Sequence, residues 1–215
     1  AAMIIKASLN VKIADAKILL FDFSTPKPES NESPCVFADR MGRWYIDGTT
    51  EDFRREYGLY LTPVEIARYM ADKIGHKSDC NKVRILDPAA GSGTLICAAV
   101  ESLLNSPHAK SGLEFEVVAY EVNPELAPVL TDVFDHLKSW VSARGFSIRC
   151  EVFSSDFILE YAAAKRNRSL VPFDVVIANP PYFKIGKQDP RALSMSSAVH
   201  GQPNIYGLFM VAGAD

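Results

Sequence analysis

Four short groups of residues in this chain combine side chains and turns that could do chemistry. The first is Asp87-Pro88-Ala89-Ala90-Gly91-Ser92-Gly93-Thr94-Leu95. Its alanines and glycines let a backbone approach a ligand, and a helix that follows offers free N–H groups. It is no P-loop, because the Gly-Lys-Ser/Thr ending is missing, and it lacks the third glycine of the dinucleotide pattern. A Gly-Ser-Gly by itself reads as a turn. Asp87 in front of it changes that reading, because its carboxylate can hold a cationic or amine-bearing group. The second group is Glu121, which closes an apolar run and can take both hydroxyls of a ribose. The third is Ser155-Asp156-Phe157, where an acceptor for an adenine amino group stands beside an aromatic that could cover the ring. The same pair reads equally well as a helix cap at Asp156 with a core Phe157.

The fourth group, Asn179-Pro180-Pro181-Tyr182, is the sharpest. Two consecutive prolines remove two backbone donors and set the turn, so the surface presents the Asn179 side-chain oxygen and the Pro180 carbonyl as acceptors. Tyr182 adds a flat face on which a planar base can stack. Together they describe a site for an exocyclic NH2 on an aromatic ring.

These groups need elements to hold them. Thr62 can cap a helix, Pro63 suits its first position, Glu65 completes a capping box, and Ile66, Ala67, Met70 and Ile74 form an apolar stripe. Val83 to Asp87 reads as a strand and Thr94 to about Asn105 as a helix; Phe115 to Glu121 is a second strand. Asn123-Pro124 caps a helix reaching about Arg144, Ser147 to Phe153 is a third strand, and Phe173 to Ala178 a fourth. Strands alternating with helices predict a doubly wound, mostly parallel α/β sheet covered on both faces. A last helix begins near Asn204. No strand follows Ala178, so the sheet is expected to be truncated after its fourth strand. No internal repeat is present.

Residues to about 23 show no clear period after an opening Ala1-Ala2-Met3 that reads as a cloning remnant. Residues 24 to 34 are all polar or proline and predict an exposed loop. The expected division is an N-terminal appendage, residues 1 to 50, and a core, residues 51 to 215.

Composition narrows the class. With 48% hydrophobic and 23% charged residues, 215 residues suffice for one sizeable core and exclude disorder along the whole chain. No apolar run approaches a membrane span and no signal pattern opens the chain, so a cytoplasmic protein is expected. Cys35, Cys80, Cys97 and Cys150 are widely spaced without a C-x-x-C pair, which favours reduced thiols over a disulfide frame or a zinc site. A net charge of -3 argues against this segment alone gripping a long nucleic acid. The clusters Arg54-Arg55 and Lys165-Arg166-Asn167-Arg168 read as solvated surface before they read as phosphate contacts.

With the four groups in place, the chain resembles the amino-methyltransferases that use S-adenosylmethionine and, more closely, the gamma-class adenine-N6 DNA methyltransferases of restriction-modification systems. The resemblance covers about residues 52 to 212. It includes Tyr57-Gly58-Leu59-Tyr60-Leu61-Thr62-Pro63, similar to the family's Thr-Pro box ahead of the glycine loop. It also includes Gly201-Gln202-Pro203-Asn204-Ile205-Tyr206-Gly207-Leu208-Phe209, similar to the segment after the catalytic motif in larger fused restriction-methylation enzymes.

The resemblance implies a Rossmann-like fold with S-adenosylmethionine as cofactor. Tyr60, Thr62 and Pro63 would flank its methionine end. Asp87, Ala89, Gly91 and Gly93 would line the methionine moiety, Glu121 would hold the ribose, and Asp156 with Phe157 the cofactor adenine. Asn179, Pro180, Pro181 and Tyr182 would form the catalytic box that receives an adenine flipped out of double-stranded DNA. A target-recognition domain outside this segment and a specificity or nuclease subunit are the partners implied; neither a metal nor a catalytic cysteine is. The Asn-Pro-Pro-Tyr box also occurs in enzymes that methylate protein glutamine or RNA bases, and the fold also serves non-catalytic scaffolds. The Tyr-Leu-Thr-Pro and Asn-Ile-Tyr-Gly-Leu-Phe segments favour DNA.

Overall fold

Four parallel strands run through the middle of the molecule, seen in a computed structural model that describes residues 25–52, 54, 58–75, 81–107, 109–198 and 201–215. They are β1 (Lys82–Asp87), β2 (Glu114–Tyr120), β3 (Ser147–Phe153) and β4 (Val175–Val176), in the sheet order β3-β2-β1-β4. The register sets Asp87 beside Ala119 and Tyr120 beside Phe153. After β3 the chain returns to the far side of β1, so β1 and β4 bracket the point where strand order reverses. Open α/β sheets bind ligands at that crevice.

The helices are α1 (Pro34–Asp47), α2 (Val64–Ala71), α3 (Thr94–Asn105), α4 (Leu126–Ser142), α5 (Phe157–Arg166), α6 (Pro190–Ser194) and α7 (Ile205–Ala214). Strand residues alternate between two cores, as the pleat requires. Val83, Ile85, Phe115 and Val117 join the side chains of α1, α3 and α4 in one cluster. Leu86 and Val118 point the other way, into a cluster with Ile158 of α5 and Leu208 of α7. The inner strands β1 and β2 therefore carry apolar residues on both faces, whereas the edge strand β3, Ser-Ile-Arg-Cys-Glu-Val-Phe, alternates polar with apolar and buries no residue fully. The doubly wound, parallel sheet expected from the sequence is the architecture observed.

Four local expectations shift. Residues 35 to 50 carried no expected element, yet α1 buries Cys35, Phe37, Ala38, Met41 and Tyr45 in the same core as α3 and α4. Asp39 and Gly42 also lie on its buried side and break the apolar pattern that would have announced it. Helix α4 begins at Leu126 rather than at Pro124, and Asn123 does not cap it. The Asn123 Oδ1 accepts from the Glu125 N–H at 3.0 Å, and its Nδ2 donates to the Tyr45 hydroxyl at 2.9 Å. Thr62 does not cap α2 either: no side chain caps that helix, whose flanking residue is Pro63.

The β4 ladder is shorter than Phe173 to Ala178. Backbone bonds from Asp174 N to Arg84 O and from Ile177 N to Leu86 O extend it by one residue at each end, and then the Asn-Pro-Pro turn leaves the sheet. Residues 25 to 31 form a largely exposed segment that ends in a turn at Ser30-Asn31, tied down where His136 Nε2 meets the Glu32 carbonyl at 2.9 Å. Tyr57, Arg55, Cys80 and the N-terminal stretch to residue 24 lie outside the described residues. Among the described residues no helix is long and apolar enough to cross a membrane.

Candidate active site

The carboxyl ends of all four strands open into one narrow cleft of about 100 Å³. The β1 end supplies Pro88, Ala89 and Gly91; the β2 end supplies Glu121 and Val122. Gly91 holds a φ of +55°, and a Cβ there would stand 2.7 Å from Leu61 Cδ2. Only glycine lets the loop turn and the Leu61 segment close over it.

Two acids sit beneath this loop, and neither is solvated. Asp87 is fully buried; its Oδ1 accepts from the Ala89 N–H at 3.0 Å, while Oδ2 has no partner among the described residues. Burial pushes its carboxyl up to about 7, the Ala89 N–H restrains the rise, and the neighbouring Glu121 charge adds to it. A half-satisfied buried carboxylate is costly in the ionised state, so a cation arriving at the cleft would be stabilised here. The Glu121 carboxylate accepts from Gly91 N at 2.9 Å and from Asn123 N at 2.8 Å. Burial raises its pKa as well, and those backbone donors oppose the rise.

At the β3 end, Asp156 caps a helix and Phe157 joins the core, and both also line the cleft. Asp156 Oδ1 caps α5, accepting from Ile158 N at 2.9 Å and Leu159 N at 3.2 Å, and the residue also lines the cleft. Its Oδ2 lies 3.7 Å from Arg191 Nη1. Phe157 belongs to the core and stacks at 5.9 Å on Phe209, which lines the cleft with it. Arg191 and Phe209 were not singled out by the sequence reading. Phe209 stood inside a segment quoted only for its resemblance, and Arg191 follows Asp189-Pro190, a helix-cap pattern without functional overtones. Asp189 caps α6 and grips the Arg191 guanidinium at 2.8 and 2.6 Å, which aims Nη1 at Asp156.

At the β4 end, Asn179 lies in a wall between two cavities. One side faces the cleft; the other faces a larger groove bounded by α2 and α7, which Pro180, Tyr182 and Tyr206 also line. The amide orientation follows from its partners. Nδ2 donates to Thr62 Oγ1 at 3.1 Å and to the Tyr60 carbonyl at 3.4 Å, and a carbonyl can only accept. Oδ1 therefore faces the other way and accepts from the Tyr182 hydroxyl at 3.0 Å. The Tyr182 ring stacks on Tyr206 at 5.0 Å with 20° between the planes, and 64% of the residue is exposed. Gly58 passes so close that a Cβ would meet Pro181 Cβ at 2.8 Å, which locks the Thr-Pro box onto the Asn-Pro-Pro turn.

Of the expected site residues, Tyr60, Ala89, Gly91, Glu121, Asp156, Phe157, Asn179 and Pro181 line the cleft. Thr62 lines its inner end beside Asn179 and Ala89. Asp87 lies behind the wall. Pro180 and Tyr182 face the groove instead. Gly93 and Pro63 line none of these cavities: Gly93 turns the chain into α3 beside Leu130 and Phe134, and Pro63 is exposed at the start of α2.

Fold and site together define a doubly wound protein with a cleft at its switch point, beside an acceptor-lined groove. The fold is that of S-adenosylmethionine-dependent methyltransferases. It is similar to a class I enzyme of that kind from Listeria monocytogenes, with a TM-score of 0.55 and 18% identity over 85% of this chain and 50% of that one. It is also similar to the modification subunit of a type I restriction enzyme from Vibrio vulnificus, with a TM-score of 0.53 and 17% identity over 81% of this chain and 34% of that one. The chain belongs to the N-6 DNA Methylase family, whose profile matches residues 38–191. Curated relatives include the type II methyltransferase M.VspI of Vibrio sp. (strain 343), 25% identical over 85% of this chain, and M.BsuBI of Bacillus subtilis, 27% identical over 75% of it. The matched regions span 39% and 32% of those two proteins.

Proposed function

We propose that this protein transfers a methyl group from S-adenosylmethionine to the N6 amino group of adenine in DNA, within a restriction-modification system. The observation that carries the reading is Asn179 in the wall shared by the cleft and the groove, with Nδ2 pinned and Oδ1 left as an acceptor. A methyl donor held on one side and an amine held on the other meet at that residue.

The cleft suits the cofactor. Glu121 would take the ribose hydroxyls, Asp156 Oδ2 the adenine amino group, and Phe157 with Phe209 the ring faces. The orphan Oδ2 of Asp87 supplies negative charge at the methionine end, where Ala89, Gly91, Tyr60 and Thr62 form the walls. When bound, S-adenosylmethionine supplies an already activated methyl group on a sulfonium.

The protein's part is then positioning and electrostatics. The target adenine leaves the duplex for the groove and displaces the Tyr182 hydroxyl from Asn179 Oδ1. Its N6 hydrogens are accepted by Asn179 Oδ1 and the Pro180 carbonyl, and the Tyr182 ring covers the base. Those acceptors draw positive charge off the nitrogen as the N–CH3 bond forms and the S–CH3 bond breaks; the amine then releases a proton. Thr62 and Tyr60 keep the Asn179 amide from rotating its donor end toward the substrate.

Double-stranded DNA is the macromolecular partner of this reading, reached through a target-recognition domain, with a specificity or nuclease subunit in the same system. The cytoplasm is its setting. We place the start of the catalytic domain at Pro34 rather than near residue 50, because α1 packs into the core.

Calorimetric titration of S-adenosylmethionine into the protein and its Asp87→Ala variant tests the cofactor site, and transfer of labelled methyl to adenine-containing DNA, RNA or release-factor protein tests the substrate. The expected result is saturable binding lost in the variant, with label on DNA. Label on RNA or on glutamine instead would overturn the DNA assignment, and absence of binding would overturn the cofactor assignment.

A further inference from the structure

Behind the cleft, a chain of buried polar groups connects α1 to the Glu121 carboxylate. Tyr45, 3% exposed, reaches out of the apolar core with its hydroxyl. That hydroxyl donates to Glu125 Oε2 at 3.0 Å and accepts from Asn123 Nδ2 at 2.9 Å. Asn123 accepts from Glu125 N on Oδ1 at 3.0 Å, and its own backbone N–H donates to Glu121 Oε1 at 2.8 Å. The other Glu121 oxygen accepts from Gly91 N at 2.9 Å.

The direction of these bonds is determined without seeing hydrogens. Glu125 Oε2 can only accept, so the phenol donates to it and must accept from Asn123; Asn123 Oδ1 is taken by a backbone N–H, so Nδ2 is the end turned to Tyr45. One phenol thus holds both the amide and the turn of the loop at 121–125. Asn123 and Glu121 are buried beside it, at 2% and 8% exposure. A phenylalanine would fill the same space without demanding any of this. A satisfied buried polar chain ending on a carboxylate in a cleft is a device for fixing that carboxylate.

We propose that Tyr45 is a positioning residue for ribose recognition: through Asn123 it holds the Glu121 carboxylate where it takes the two ribose hydroxyls. The proposal rests on the ribose role given to Glu121 above. It makes α1 part of the binding machinery rather than an appendage.

The test is calorimetric titration with S-adenosylhomocysteine and with its analogue lacking both ribose hydroxyls. Tyr45→Phe removes both hydrogen bonds of the phenol and is expected to weaken S-adenosylhomocysteine roughly three- to tenfold while leaving the dideoxy analogue within about twofold. Glu125→Ala, at an exposed position, should shift the ratio of the two affinities in the same direction by roughly twofold. Equal weakening of both ligands in Tyr45→Phe would mean that the phenol only supports the core, and an unchanged ratio in both variants would likewise overturn the proposal. Glu121→Ala is the control that separates the two levels. If it collapses the ratio while Tyr45→Phe does not, the positioning role alone fails; if it leaves the ratio intact, the ribose assignment fails and the proposal with it.

Discussion

The two sides of Asn179 are built differently. On the cleft side, β1 and β2 pair along six residues, and the acids behind the loop are buried with their backbone donors already in place. On the groove side, β4 contributes a two-residue ladder, Tyr182 is largely exposed, and the Asn179 Oδ1 acceptor is occupied by the protein's own hydroxyl. The first region is preorganised, so binding there need not rearrange the carboxylates. The second must exchange one hydrogen bond for another. That suits a small cofactor in the cleft and, in the groove, a base brought in by a macromolecule, whose remaining contacts can supply the cost of the exchange.

The comparison breaks most visibly at Asn179. Asn179→Ala should lower methyl transfer roughly 10²–10³-fold, in the range for removing one catalytic hydrogen-bonding group, while calorimetry finds cofactor affinity within about twofold. Equal loss of both would mean that the two sides are not separate devices. The pH dependence of cofactor binding sharpens the cleft side. Asp87 titrates near 7 in the folded protein, and a cationic ligand favours its ionised form, so affinity should rise about tenfold between about pH 6 and 8 with release of a proton. Asp87→Asn should flatten that profile. Stability runs the other way: the folded state keeps a proton that the unfolded chain gives up near 3.8, so burial of Asp87 lowers stability progressively as pH rises from about 4 to about 7 and no further above it. Urea midpoints of wild type and Asp87→Asn across that range check the sign.

Thr62→Val probes the joint between the two sides. It removes the nearer acceptor of the Asn179 Nδ2 and should cost roughly three- to tenfold in kcat, with little change in cofactor Kd. A matching loss in cofactor affinity would return Thr62 to the cleft alone. The smallest effect belongs to Tyr182→Phe, which keeps the stacking face and removes the hydroxyl that occupies Asn179 Oδ1. Adenine-containing DNA should bind about two- to threefold more tightly to it, whereas Tyr182→Ala should weaken binding through lost stacking. Weaker binding by the phenylalanine variant would show that the hydroxyl serves the substrate directly.

The sequence by itself determined the strand–helix alternation, the parallel sheet, and the four groups at the strand ends. Each rests on local rules: apolar runs of strand length, small residues at a tight loop, prolines that end a strand. It also carried the candidates Asp87, Glu121, Asp156 and Asn179, because polar residues at or shortly past a strand's end are visible in one dimension. What the tertiary structure decided is which partner each polar atom takes. Thr62 reads as a helix cap in its own neighbourhood and instead holds Asn179, 117 positions away. Asn123 reads as a cap and instead bonds Tyr45 across 78 positions. Asp156 caps α5 with one oxygen, as its neighbourhood suggests, while the other faces Arg191, 35 positions further on. Helix α1 was hidden because Asp39 and Gly42 interrupt its buried face, and burial is settled by what packs against a helix rather than by its own pattern. Hydrogen-bonding side chains offer the same donors and acceptors to any partner within reach, so spacing along the chain names the candidates and only the packing of α1, α2 and the strand ends chooses among them.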